Sequence, residues 1–256
     1  MSTDNKIFED HFSGHSRQYA QSRPQYPDNI YTYLASIAPG HSLAWDCGTG
    51  SGQAAIGLAK YFDHVYATDA SAEQISHAYP HEKVSYHAEP AEHISLDNSS
   101  VDLVTIAVAI HWFNFDEFYR EVKRVLKPNG GIAAWTYNAV EISPELDALI
   151  WHYYRDIVGE YWPERIRFIE ERYETIPFPF EEIIPPKFVM QIEWNLIQLA
   201  GFLDSWSATQ RYKAQRGHHP VELIWDKLLD AWGDEKATRP IRWPLHFRIG
   251  RNRSGA

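Results

Sequence analysis

The chain has 256 residues, 44% hydrophobic, 14% aromatic and 23% charged, with a formal net charge of -10. That length and mix suit a globular protein with a buried core and exclude collagen-like, coiled-coil and low-complexity architectures. The single cysteine, Cys47, excludes an intrachain disulfide framework and cysteine-rich zinc modules, and the acidity argues against a broad phosphate-backbone contact.

Residues 1–14 are polar and read as a lead-in with no apolar signal core. Residues 15–38 predict a short helix, a turn at Pro24 and Pro27, and a second helix. Asp28 is the expected cap of that helix, with Ile30, Tyr33, Leu34 and Ile37 on one face. Ser42 to Asp46 is a short apolar strand that runs straight into Cys47-Gly48-Thr49-Gly50-Ser51-Gly52 and then an Ala- and Leu-rich helix. A second strand, Val65 to Thr68, is ended by Asp69, and Ser71-Ala72-Glu73-Gln74 matches a capping box for the next helix. KVSYHAE predicts a third strand. Residues 101–110 are apolar throughout, as expected of a strand covered on both faces. FDEFYREVKRVLKPNGG reads as a helix with early acids, late bases and a Pro-Asn-Gly stop, and GIAAWTYN as a fifth strand.

Strand and helix thus alternate over residues 42–138, the pattern of an α/β doubly wound, mostly parallel sheet. Residues 139–180 are crowded with large rings, among them Trp151, Tyr153, Tyr154, Trp162 and Tyr173, and read as an inserted helical cap. Lys187 to Trp194 alternates as a strand does. Residues 195–206 and 220–232 predict amphipathic helices. Arg239 to Arg251 predicts a last strand, starting after Pro244 and antiparallel to its neighbours. The expected organisation is one domain over residues 1–256. Helices within 1–40 cover a ligand, 42–138 form the binding core, 139–180 the cap, and 181–256 the strands and helices that complete the sheet.

The glycine-rich segment follows the first strand, where open α/β sheets bind ligands. Its spacing is G-x-G-x-G, with Asp46 ahead of it. That acid suits a ligand carrying positive charge better than a phosphate, and the absence of Gly-Lys-Ser/Thr excludes a Walker loop. Asp69, at the end of the second strand, is placed to accept both hydroxyls of a ribose. Pro90-Ala91-Glu92, after the third strand, is the expected edge for an adenine.

WDCGTGSGQ, YATDAS, EPAEHISLDNSSVDLVTIAVAIHWF and VLKPNGG together resemble the class I methyltransferases that use S-adenosylmethionine. YAQSRPQYP and His111-Trp112-Phe113 resemble the type 11 branch near the trans-aconitate methyltransferase-like proteins. The resemblance is firm over residues 15–138 and loose beyond. It implies a Rossmann-like sheet, S-adenosyl-L-methionine as cofactor and S-adenosyl-L-homocysteine as product. It places Asp46, Gly48, Gly50 and Gly52 at the methionine part and Asp69 at the ribose. Ala70, Ala91, Glu92 and the Ala107 carbonyl would surround the adenine. Tyr19 and Arg23 would fold over the cofactor, with Arg23 reaching its carboxylate. Glu89 departs from the family pattern at the adenine edge.

His111 reads as a packed or orienting residue, a substrate contact or a general base, in that order. Trp112 and Tyr137 are expected to line a substrate pocket. Arg165, Arg167, Arg172 and Arg211 are candidate clamps for a carboxylate, or surface ion pairs. His11/His15 and His77/His81 lack a third ligand for a metal, and His218-His219 reads as a solvated turn. The expected activity is methyl transfer to a small acidic or hydroxylated metabolite by a cytoplasmic enzyme, with no nucleic-acid or membrane partner. The alternative is a non-catalytic binder of the same cofactor or its product. The oligomeric state is not legible.

Overall fold

The computed structural model describes residues 24–138 and 140–253. They fall into two compact units. One holds the described parts of Gln25–Asn138, Arg167–Phe188 and Leu245–Ala256; the other holds those of Met1–Pro24, Ala139–Ile166 and Val189–Pro244.

The first unit begins with helix α1 (Asp28–Ile37), followed by β1 (Leu43–Cys47), α2 (Gln53–Leu58), β2 (His64–Asp69), α3 (Ala72–Ser76), β3 (Val84–Ala88), β4 (Val101–Ala107), α4 (Phe115–Val125) and β5 (Leu126–Tyr137). The five strands are parallel, in the order β3-β2-β1-β4-β5. β1 lies between β2 and β4, so the winding reverses there and leaves a crevice at the strands' carboxyl ends. Short α6 (Arg167–Glu170) and the two-residue β6 (Glu181–Glu182) follow later in the chain. The last strand, β8 (Arg239–Arg251), starts ahead of Pro244 and runs antiparallel to β5, pairing Gly131 with Arg251 and Tyr137 with Leu245.

β4 is buried along nearly its whole length, as its largely apolar run predicts. Its one acid, Asp102, survives there because its donors are supplied locally. The carboxylate accepts from Ser42 N at 3.0 Å, Ser42 Oγ at 2.6 Å and Leu43 N at 3.0 Å, and Lys127 Nζ lies 2.8 Å away. α1 differs from the sequence expectation in its cap. Pro27 occupies the N-cap, and the Asp28 side chain instead meets Lys60 Nζ at 2.9 Å and Tyr61 Oη at 2.6 Å.

The second unit contains α5 (Pro144–His152), with Ser143 as its cap, then a π-helical turn over Tyr153–Ile157. Strand β7 (Phe188–Trp194), which pairs with β8, leads to α7 (Leu196–Asp204), α8 (Ser207–Arg216) and α9 (Trp225–Trp232). Tyr154, Trp162, Trp206, Phe202, Trp243 and Trp194 form a chain of ring contacts at 4.9–5.7 Å between centroids. α8 gives little helical signal in sequence. Its buried residues are only Ala208, Thr209 and Tyr212, a narrow strip of which two members are small or polar. His219 is not a solvated side chain. Its Nδ1 accepts from Val221 N at 3.3 Å, and its Nε2 lies 2.7 Å from the buried carboxylate of Asp204, which Lys213 also reaches at 3.0 Å.

Candidate functional site

The site lies in the first unit, at the carboxyl end of β1. Gly48, Gly50 and Gly52 all have left-handed backbone, with φ of 67°, 55° and 87°. A side chain at Gly48 would stand 2.5 Å from Ala109 Cβ, and one at Gly52 would stand 2.2 Å from Tyr86 Oη. Gly50 differs: a Cβ there would meet only Gln74 Oε1, at 3.9 Å. The outer two glycines are therefore required by packing. The middle one leaves main chain open on the face a ligand would approach.

Asp46 ties this loop to the sheet from beneath. Its Oδ2 accepts from Thr49 Oγ1 at 2.6 Å and its Oδ1 from Thr105 Oγ1 at 2.7 Å. Burial pushes the carboxyl up to about 6, against the pull of those two hydroxyls and the Ala55 main chain. Asp46 thus shapes the loop from inside. Neighbouring Cys47 is buried, and burial raises its thiol well above the ordinary range.

Asp69, one strand away, accepts the Gly50 N–H at Oδ2 and the Ser71 N–H at Oδ1, each at 2.9 Å. Ser71 completes only half of the predicted capping box: its Oγ accepts from Gln74 N, while its own N–H goes to Asp69. Each Asp69 oxygen retains further acceptor capacity. Ala70 is exposed beside it. At the β3 edge, Ala91 is buried. Glu92 Oε1 accepts the Asn114 N–H at 2.8 Å at the start of α4, whose N-cap Asn114 makes no side-chain cap bond. Glu89 is held by Tyr66 Oη at 3.1 Å and by Ser95 through N at 3.1 Å and Oγ at 2.8 Å.

Ala107 ends β4 opposite Trp135. Val108 follows with φ of 54°, a strained conformation for a β-branched residue, and its N–H is held by Trp135 O at 2.9 Å. That bend turns the chain into the 3₁₀ segment Ile110–Trp112. His111 is buried there, with Nδ1 at 2.9 Å from Tyr173 Oη. The Tyr173 hydroxyl also bonds the Thr136 side chain, and burial pushes its pKa far above the ordinary value. Tyr173 and Arg172 both have positive φ, 64° and 55°. Arg248 fixes their turn, donating through Nη1 to the carbonyls of Tyr173, Glu174 and Ile176 at 2.9, 3.2 and 3.1 Å. The Trp112 ring lies 4.8 Å from that of His111 and is 53% exposed; Tyr137 ends β5 half-buried.

The structure therefore gathers Asp46, the three glycines, Asp69, Ala107 and His111 along the carboxyl ends of β1, β2 and β4. Tyr19 and Arg23 lie outside the described residues. Among the candidate arginines, Arg211 donates to Tyr161 O at 3.2 Å in the second unit, and Arg167 stacks on Phe168. Among the described residues no three His, Cys, Asp or Glu side chains gather as a metal site. Tyr173 and Thr136 are absent from the sequence-based candidates. They stand 62 and 25 residues beyond His111, and no local spacing joins them to it.

Comparison with known proteins agrees with this geometry. A family described as a methyltransferase domain matches residues 45–134. Over 252 residues the chain is 35% identical to a candidate methyltransferase of Dictyostelium discoideum, covering 95% of each. It is 30% identical to a probable S-adenosylmethionine-dependent methyltransferase of Saccharomyces cerevisiae, covering 97% of each. The solved structure of a candidate type II methyltransferase from Anaeromyxobacter dehalogenans superimposes with a TM-score of 0.85 at 37% identity, covering 91% of this chain and 99% of that one. The mostly parallel sheet with its flanking helices is the Rossmann-like methyltransferase fold. The chain belongs to the class I S-adenosylmethionine-dependent methyltransferase family.

Proposed function

We propose that the protein moves a methyl group from S-adenosyl-L-methionine to a small-molecule acceptor and releases S-adenosyl-L-homocysteine. The observation that carries this reading is the Asp69–Gly50 bridge. It holds a carboxylate at the tip of β2 beside open left-handed main chain at the tip of β1. That pairing fits an adenosyl amino acid: a sugar diol against the acid and a methionine tail over the glycines.

When bound, the cofactor supplies an activated methyl group on a positively charged sulfur. The chain's own residues bind, orient and exclude water. Gly48, Gly50 and Gly52 form the cradle, Asp46 stiffens it, and Asp69 grips the ribose. Ala70, Ala91, Glu92 and the Ala107 carbonyl border the adenine. Trp112 and Tyr137 line the acceptor side, where His111 orients the acceptor. The acidic chain suits a small acceptor better than a nucleic acid. The trans-aconitate methyltransferase-like features favour a carboxylate acceptor, and the histidine a hydroxyl.

Isothermal titration with S-adenosyl-L-homocysteine tests the binding half, with saturable one-site uptake expected. Release of that product from S-adenosyl-L-methionine across a panel of carboxylated and hydroxylated metabolites tests the catalytic half. Absence of uptake at millimolar ligand would remove the reading.

A further inference from the structure

Each residue of the glycine loop is held from outside the loop, and the last two holds lead to one side chain. Gly48 packs against Ala109 and Phe113, Thr49 donates its N–H to Thr68 O at 2.9 Å, and Gly50 donates to Asp69. The Ser51 carbonyl accepts the Tyr79 N–H at 3.0 Å. The Tyr79 carbonyl in turn accepts from Tyr86 Oη at 2.7 Å. Gly52 meets the same hydroxyl directly: a side chain there would stand 2.2 Å from Tyr86 Oη and 2.9 Å from two carbons of its ring. A main-chain carbonyl can only accept, so the Tyr86–Tyr79 bond has one direction, with the phenol as donor.

Tyr86 belongs to β3, the strand at the sheet's edge, and pairs in register with Ala67 of β2. Alanine takes little room, and the ring reaches past it to the start of α2, whose cap position is Gly52. Burial and the nearby Asp46 charge push the phenol up to about 12, so the hydroxyl keeps its proton and stays a donor across the neutral range. Tyr79 takes part through its main chain; its side chain is exposed. We infer that Tyr86 is a positioning residue for the cofactor: its hydroxyl fastens Tyr79 and Gly52 together and so sets the Ser51–Gly52 limb beside the open main chain of Gly50. This rests on the methyl-transfer reading and adds to it a residue that acts on the ligand through the loop. A loop already in its binding conformation loses less affinity to ordering. By linkage, a clasp that strengthens binding is itself strengthened when the ligand binds.

Two measurements read this role without any turnover. Calorimetric titration compares S-adenosyl-L-homocysteine binding by wild type and by Tyr86→Phe, which keeps the ring and deletes the bond. Affinity is expected to fall about threefold to tenfold, the scale of one hydrogen bond. Lys127→Met, which loosens the amino ends of the strands, is the comparison for a general loss of stability, and its affinity is expected to match wild type. Equal losses in the two folded variants, or none in Tyr86→Phe, overturn the positioning role. Amide hydrogen exchange at Tyr79, followed by nuclear magnetic resonance, reads the clasp directly. Exchange is expected to be slow in ligand-free wild type, faster in Tyr86→Phe, and slower still in wild type saturated with S-adenosyl-L-homocysteine. Exchange in wild type at the rate of an unprotected amide overturns the clasp even if Tyr86→Phe does not fold. Failure of wild type to bind S-adenosyl-L-homocysteine removes the role together with the methyl-transfer reading. Binding by wild type with unchanged affinity in Tyr86→Phe removes the role alone.

Discussion

Asp69 and Gly50 are joined by a 2.9 Å hydrogen bond from the glycine N–H to the carboxylate, so the tips of β2 and β1 are fastened to each other through one side chain. The same carboxylate receives the Ser71 N–H, which makes Asp69 part of the loop's frame as well as a candidate ligand for the ribose.

Replacing Asp69 by Ala should weaken S-adenosyl-L-homocysteine binding by about 1–3 kcal/mol, the scale of charge-assisted hydrogen bonds. Asp69→Asn, which keeps one accepting oxygen, should fall between. Calorimetric titration of folded variants decides it. Unchanged affinity in Asp69→Ala would take this residue out of the site.

Asp46 gives the protein a pH dependence of definite sign. Its carboxyl is raised by burial from 3.8 to about 6, so between those values the folded state holds a proton that the unfolded chain has released. The stability contribution is complete below the lower value and is lost as pH rises through the upper one. Asp46→Asn cannot ionise. Its stability relative to wild type should therefore climb between pH 4 and pH 7, by up to about 3 kcal/mol. Urea unfolding at a series of pH values measures the difference, and a flat difference would show that Asp46 is not raised.

Asp102 has the opposite sign. Burial raises its carboxyl, but the bonds from Lys127, Ser42 and Leu43 more than reverse this and leave it below the ordinary value. Its contribution is present above 3.8 and lost as pH falls through the lower folded value. Asp102→Ala leaves Lys127 and the amides at the start of β1 without their acceptor and should cost about 3 kcal/mol at neutral pH. Lys127→Met keeps the three bonds from Ser42 and Leu43 and should cost about 1 kcal/mol. Equal losses in the two variants would contradict this account.

Val108 carries backbone strain where β4 turns toward His111. Asn tolerates left-handed φ far better than a β-branched residue. Val108→Asn should raise the stability by about 1 kcal/mol and the melting temperature by about 2–4 °C. Calorimetric melting tests this, and a lower melting temperature would mean that the Val108 side chain contributes more than its backbone costs.

Where the pattern is local, the sequence reads well. The strand–helix alternation of residues 42–138, the glycine spacing and Asp69 all lie within short windows whose periodicity or turn chemistry is self-contained. What it does not disclose is set by partners distant along the chain. Asp28 looks like a cap until Lys60 and Tyr61 are brought beside it. His219 looks solvated until Asp204 meets it. α8 hides because its inner strip is made of Ala, Thr and Tyr. The partner of His111 comes from a left-handed turn 62 residues further on, and no spacing rule joins the two places.

Arg248 lies near the end of β8, and it clasps the carbonyls of the turn that presents Tyr173. During synthesis the glycine loop and strands β1 to β4 that frame it are all made well before that arginine exists. A nascent chain can thus acquire the cofactor's seat early, while the histidine's orientation waits for the final strand to dock. Ligand affinity and chemical competence are separated in biosynthetic time, and a ribosome-stalled chain lacking β8 should hold the first without the second.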